Sequence, residues 1–277
     1  MPTSRGNLAV GVVNGTLFAV GGNIGNNTFS TVEAYDHFTN SWITKASMPT
    51  ARGNLAAGVA NNILIAVGGC DVPFCQSPLN TVEAYNPSTD TWTTKTPMPT
   101  ARENLAIGVV NGMLYAVGGD NGVGTVMNTV EAYDPSTDNW TTKAPMPTAR
   151  GSLAAGVING ILYAIGGYNG NYLNTVESYD PATNVWSTKA SMSVPRYALA
   201  ANVIGGRLLA VGGGNSDGFL NTAEAYDPVS NSWHNKASMS TGRQSLAAGV
   251  AGRRLYAVGG YNDSYVNTVE AFDPRRQ

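Results

Sequence analysis

Histidine is nearly absent from this 277-residue chain, and its two copies, His37 and His234, stand far apart. Imidazole is the common protein ligand for copper, iron and zinc, so the chain has too few for a histidine-built metal centre. Charge is scarce as well: 16 basic and 18 acidic residues leave a formal net charge of -2. That balance provides no field to gather phosphates by counterion release, which argues against a nucleic-acid partner. No apolar run approaches the roughly 18 residues of a membrane span, so insertion into a bilayer is not expected. Met1 holds the same place in its unit as Met48 holds in the next, so no signal peptide is expected in this chain. Cysteine is limited to Cys70 and Cys75, too few for a disulfide framework.

What is abundant is repetition. Tyr35/Trp42, Tyr85/Trp92, Tyr133/Trp140, Tyr179/Trp186 and Tyr226/Trp233 are each seven residues apart. Phe272 opens a sixth copy whose tryptophan would fall beyond Gln277. Similarity at a period between 20 and 50 residues signals a solenoid or propeller. The six units lie at about 1–47, 48–97, 98–145, 146–191, 192–238 and 239–277.

The third unit shows what one repeat encodes. Leu105–Val110 is a short run of small and β-branched residues, followed by Asn111-Gly112, a strong signal for a type I′ hairpin. Leu114–Val117 then ends at a Gly pair, where the chain can take positive φ or pass close to another backbone. Asn128–Tyr133 alternates as a third strand, Asp134–Asp138 has turn chemistry, and Trp140–Lys143 forms a fourth strand. Four short antiparallel strands cannot bury two aromatic residues alone, so neighbouring blades are required. Alanine and glycine crowd the first strand, which suits the innermost position where six copies converge. Lys45, Lys95, Lys143, Lys189 and Lys236 each follow a repeat tryptophan by three residues and guard the outer edge against foreign pairing.

Gly-Gly at 21–22, 68–69, 118–119, 166–167, 212–213 and 259–260, a later Tyr or Phe, and Trp seven residues on resemble the kelch repeat. The match spans the whole chain, with small departures: Asn86 replaces Asp, His37 replaces Pro, and the sixth unit lacks its tryptophan. The resemblance implies an all-β, six-bladed propeller of four-stranded antiparallel blades, the last without its outer strand. Kelch proteins include peptide-binding adaptors, copper-radical oxidases, sialic acid epimerases and specifier proteins, and fold does not choose among them. The histidine count excludes the copper-radical site and disfavours a histidine-dependent epimerase.

Residues repeated in every unit are best explained by the blade. Glu33, Glu83, Glu131, Glu177, Glu224 and Glu270 precede the Tyr or Phe by two, and Arg5, Arg52, Arg102, Arg150, Arg196 and Arg243 precede the first strand. They suggest structural ion pairs, the alternative being that some heads, among them Arg102 and Arg196, line the opening and touch ligand. Glu103 is the only glutamate outside the repeat position and stands where other units have Gly6, Gly53 and Gly151. Tyr197 and Gln244 fill the same place, and one residue further on are Asn7, Asn54, Asn104, Ser152, Ala198 and Ser245. By analogy with kelch adaptors these segments, with the loops after Gly-Gly, form the ligand-binding face; ordinary polar lining of a watery channel is the alternative.

The loops after Gly-Gly differ most between units and carry Phe29, Phe74, Tyr168, Tyr172, Phe219, Tyr261 and Tyr265. Such aromatic faces among amides suit sugar rings or the apolar side chains of a peptide. Phe29, Tyr172, Phe219 and Tyr265 are read as sharing one place and stapling the loop to its blade, leaving Tyr168 and Tyr261 freer. The expected activity is a non-catalytic binding module for a peptide, protein segment or glycan at the channel mouth, without a cofactor or metal. The alternative is a carbohydrate-acting enzyme, epimerase- or lyase-like, with Glu103 as base and Tyr197 as acid.

Cys70 and Cys75 in one exposed loop suit a local disulfide and favour an extracytoplasmic setting, as does scarce lysine; free thiols are the alternative. Arg207, Arg253, Arg254, Arg275 and Arg276 cluster on the opposite face as a solvated edge or a dock for an acidic partner. The unfinished sixth blade is expected to weaken the seam between blades six and one and to offer a route to self-association.

Overall fold

The computed structural model describes residues 1–71 and 75–273. Phe74, Arg275 and Arg276 lie outside the described residues. The described chain is all-β, with six antiparallel sheets arranged as the blades of a propeller: five of four strands and a last one of three. No helix among the described residues is long and apolar enough to cross a membrane.

In the third blade the strands run Ala106–Val110, Met113–Val117, Val130–Asp134 and Asn139–Thr142, paired in that order. Asn111 (φ 50°) and Gly112 (φ 81°) both take the left-handed conformation that a type I′ turn requires. Trp140 sits directly opposite Tyr133 in the outer pair, with ring centroids 5.0 Å apart.

Each hydrophobic core lies between two blades. Blades two and three share Ile65, Val67 and Val82 on one side and Leu105, Leu114 and Tyr133 on the other, with Trp140 packed at the rim. Burial of each such side chain stabilises by about 1.5–3 kcal/mol. The inner strand carries Gly108 because the next blade's Leu162 comes so near that an added Cβ would lie 2.4 Å from its Cδ1. Glycine there is therefore a socket for the neighbour's leucine, beyond the general crowding at the centre that composition suggests.

Two devices tie blade to blade. At the outer rim, the Trp92 indole N–H donates to the Ala46 carbonyl of the linker leaving the preceding blade, and the Asp90 carboxylate accepts the Ala46 N–H and the Tyr85 hydroxyl. Trp140, Trp186 and Trp233 repeat this clamp on Thr96, Ala144 and Ala190. Every repeat tryptophan thus packs on the blade before its own. This corrects the expectation about the seam: a sixth-blade tryptophan would belong between blades five and six, while Trp42 already packs in the core between blades six and one. That last seam is further joined by a contact between the Tyr35 and Tyr256 rings, 5.5 Å apart.

At the inner rim, six main-chain hydrogen bonds form a closed ring around the channel. Asn54 N–H donates to Asn7 C=O, Asn104 to Asn54, Ser152 to Asn104, Ala198 to Ser152, Ser245 to Ala198, and Asn7 to Ser245, all at 2.8–2.9 Å. All six residues have φ between 49° and 56°, a region in which asparagine is strongly favoured among non-glycine residues.

Candidate functional site

The buried arginines define what lies beneath the mouth. Arg102 has no exposed surface; its guanidinium donates to the Gly118, Thr129 and Ala116 carbonyls and pairs with Glu131 at 2.9 Å. Thr100 donates to the other Glu131 oxygen. Arg196 makes the equivalent pair with Glu224 at 2.6 Å. Burial lowers the Arg102 pKa to about 10, leaving the group charged at neutral pH and held by its partners. Arg102 and Arg196 are thereby removed from the candidate ligand contacts, because their heads point into the blade and their donors are committed to it.

Above this layer the mouth has three tiers. Innermost is the main-chain ring, whose positions Asn7, Asn54, Asn104 and Ser152 are half-buried and line a vestibule of about 170 Å³. Next come Gly6, Gly53, Glu103, Gly151, Tyr197 and Gln244. Each forms an isolated antiparallel bridge with the residue after a Gly-Gly pair: Asn23, Cys70, Asp120, Tyr168, Gly214 and Tyr261 respectively. The main chain thus sews the third tier to the second at every blade, whatever the side chains there.

They differ by sector. In blades four to six, Tyr197 stacks with Tyr172 at 5.5 Å and lies 6.1 Å from Tyr168, while Tyr168 and Tyr172 are 5.5 Å apart. Tyr168 and Tyr172 remain about 40% exposed. Tyr261 meets Phe219 at 5.6 Å and Tyr265 at 5.1 Å. Tyr168 and Tyr261 are therefore members of aromatic clusters with tilted and edge-on contacts, and not the freer rings expected of them. Phe29 also departs from its expected place. Its N–H donates to Gly22 as those of Leu173, Leu220 and Val266 do to their own Gly pairs, so it aligns with Leu173 and not with Tyr172. Gln244 approaches closely over Gly214, where an added Cβ would lie 2.5 Å from its Oε1.

In blades one to three the mouth is polar. Glu103 is buried, accepts from the Asn54 amide at 2.6 Å, and lines a cavity of about 420 Å³ with Asn23, Thr28, Tyr265 and both cysteines. Asp120 accepts from the Asn104 amide at 2.9 Å, and Asn7 donates to Asn23 at 2.9 Å. Tyr265, bonded through its hydroxyl to Asn23 at 3.3 Å, joins the two sectors. Cys70 and Cys75 are joined in a disulfide, with Cα atoms 5.7 Å apart. Cys70, Cys75 and Glu103 have the composition of a metal cluster, but both sulfurs are bonded to each other and only the carboxylate is left to offer.

Desolvation raises the Glu103 pKa from 4.5 to about 7, and the neighbouring Asp120 charge adds to the rise while the Asn54 bond opposes it. A carboxyl that stays protonated longer when folded favours the folded state at low pH. That contribution is lost as pH rises from 4.5 to about 7 and is absent above. Glu103→Gln should therefore gain stability relative to the parent across that window, on the order of 2–3 kcal/mol by its end. Thermal unfolding followed from about pH 4 to about pH 8 reads this directly, and parallel curves for the two proteins would refute it.

Glu103 and Tyr197 share the mouth but lie in different sectors: Glu103 is held by Asn54, and Tyr197 by the Tyr168/Tyr172 stack. On the opposite face, Arg207 pairs with Asp227 at 3.1 Å and Arg254 lies 3.7 Å from Asp273, so two cations of that cluster are balanced within their own blades.

Comparison with known proteins agrees with this architecture. The Kelch motif matches residues 4–49, 51–99 and 101–147, and the KLHDC2/KLHL20/DRC7 Kelch-repeats domain matches residues 142–277. No curated protein matches the chain in sequence. Among solved structures, that of YjhT superposes with a TM-score of 0.83 at 17% identity, covering 98% of this chain and 95% of that one. At such identity the likeness speaks for fold alone. Kelch propellers commonly serve as protein-binding modules. With six in-register repeats and family matches along its length, the chain belongs to the kelch-repeat family.

Proposed function

We propose that this propeller binds a protein segment at the mouth bearing the Gly-Gly loops. The observation that carries the reading is the division of that mouth: the exposed rings of Tyr168 and Tyr172 packed with the half-buried Tyr197 in one sector, and Glu103 with Asp120 and amides in the other. Tyrosine gives large contact area at little entropic cost, and such residues dominate binding energy in interfaces. A segment placing apolar side chains on the tyrosines and a basic group toward Glu103 and Asp120 matches both sectors. Gln244, Phe219, Tyr261 and Tyr265 extend the aromatic wall toward blade one.

A peptide and glycan array tests the reading. Peptide hits are expected, and the double change Tyr168→Ala/Tyr172→Ala should weaken the best of them at least tenfold, about 1.4 kcal/mol. Because both rings are substantially exposed, the melting temperature should fall by no more than about 3 °C. Glycan hits alone, or peptide hits indifferent to the tyrosines, would overturn it.

The raised pKa of Glu103 favours a second reading, a carbohydrate-acting enzyme with Glu103 as base and Tyr197 as acid. The same array separates the two: a glycan that is bound and consumed, with turnover but not binding lost in Glu103→Gln, would replace the binding module by the enzyme.

A further inference from the structure

Glu103 has a second set of neighbours besides its amides. A carboxylate oxygen of Glu103 and the sulfurs of Cys70 and Cys75 all lie within 4.8 Å of one another, and all three residues are buried. Thiolate and carboxylate are both ordinary zinc ligands, and around a tetrahedral ion with bonds of about 2.0–2.3 Å the ligand atoms stand about 3.5–3.8 Å apart. The covalent bond between Cys70 and Cys75 holds the two sulfurs inside that spacing, and breaking it releases both.

The frame around the three does not depend on that bond. Cys70 exchanges two main-chain hydrogen bonds with Gly53, both of 2.9 Å, and Glu103 exchanges two with Asp120. The Asp71 carbonyl accepts from the Thr28 hydroxyl, and the Cys75 carbonyl lies so close to Gly122 that a Cβ there would not fit. The Asn54 amide donates to Glu103 Oε2 and orients the carboxylate, as outer partners orient metal ligands, and an oxygen accepting one hydrogen bond keeps a second lone pair. The cavity of about 420 Å³ reaches both cysteines and the glutamate, so a reductant, an ion and its water have a way in. Four residues separate the cysteines, a spacing found in zinc loops. Such a pair forms a disulfide in an oxidising compartment and favours metal in a reducing one.

We propose that Cys70, Cys75 and Glu103 form a redox-gated zinc site, closed as a disulfide when oxidised and open to the ion when reduced. A small dithiol reductant gives up two electrons and two protons and becomes a disulfide itself, while the bond between Cys70 and Cys75 breaks to give two thiols. The ion then displaces one proton from each thiol to form two metal–sulfur bonds, and the ionised Glu103 carboxylate adds a metal–oxygen bond. Water from the cavity takes the fourth position. No histidine enters the site.

The test titrates Co²⁺, a coloured stand-in for zinc, into the intact chain after reduction with dithiothreitol and removal of that reductant without air. Absorption bands of tetrahedral, thiolate-bound cobalt are expected to saturate at one equivalent and to vanish when Zn²⁺ is added. The oxidised chain should show none. Zinc should raise the melting temperature of the reduced chain and leave that of the oxidised chain unchanged. Glu103→Gln should weaken cobalt binding at least tenfold, and Cys70→Ser/Cys75→Ser should abolish it. The comparison of the oxidised with the reduced parent decides the matter without any substitution. Bands in neither state, equal metal binding in both, or an affinity untouched by Glu103→Gln would overturn the proposal.

Discussion

Replacing Arg102 with alanine is expected to lower the unfolding free energy by about 3–5 kcal/mol, a drop of roughly 6–20 °C in melting temperature. Three carbonyls and the Glu131 carboxylate lose a buried donor at once, and no water reaches them through a side chain with no exposed surface. Most of the cost is the Glu131 charge left unpaired in a poorly polar surround. The sixth blade supplies an internal control. Arg243 is equally buried, but its partner Glu270 is 24% exposed and can be reached by solvent, so Arg243→Ala should cost clearly less. Denaturant or thermal melts of both variants read the difference. A loss below about 1 kcal/mol for Arg102→Ala would mean the pair is compensated elsewhere.

The second large effect concerns the Gly pair. Gly119 has φ 101°, and a Cβ there would lie 2.6 Å from the Glu103 carbonyl oxygen. That oxygen belongs to a segment fixed by its bridge to Asp120 and by the adjoining ring residue Asn104, so it cannot yield cheaply. Backbone strain of about 1–3 kcal/mol and a steric cost of similar size give an expected loss of about 2–6 kcal/mol for Gly119→Ala. Gly124 also has positive φ, 89°, but a Cβ there meets nothing within 4 Å. Gly124→Ala should therefore show the backbone strain alone, and the difference between the two melts isolates the close approach. Equal losses would show that contact with Glu103 contributes nothing.

The strands, the hairpin at Asn111-Gly112 and the role of the Gly pair were legible because each is a local matter of turn chemistry and alternation. Internal repetition also separated the Arg102–Glu131 pair from site residues, although it left open which way the arginine faced. The direction in which tryptophan packs was not legible. A period of seven places Trp92 opposite Tyr85 within one blade, but only the curvature of the ring decides that the indole reaches back to Ala46. Phe29 stands three residues before its third strand where Tyr172, Phe219 and Tyr265 stand four before theirs, and the Gly22 hydrogen bond shows the same offset. The inner ring left a faint trace. Three asparagines and two serines at one place before a hydrophobic strand are a left-handed backbone signal as much as a binding signal, and polarity alone does not separate them. For the candidate site, Glu103 stood out as the single glutamate off the repeat position, whereas the stacking of Tyr168, Tyr172 and Tyr197 depends on loops from two different blades.

The closed ring of six hydrogen bonds is made by main chain only, and so are the six bridges that join the second tier of the mouth to the third. The main-chain bonds at Gly6, Gly53, Glu103, Gly151, Tyr197 and Gln244 do not depend on which side chain stands there, although the Glu103 carboxylate also holds the ring residue Asn54. Those positions are six sockets on a common chassis: chemistry differs from one sector to the next while the closure of the circle stays the same. A glutamate, a tyrosine and a glutamine occupy three sockets, and at the three glycines a neighbour has closed in instead: an added Cβ would lie 3.3 Å from Tyr265 at Gly6, 3.1 Å from Asn23 at Gly53 and 2.9 Å from Asp120 at Gly151.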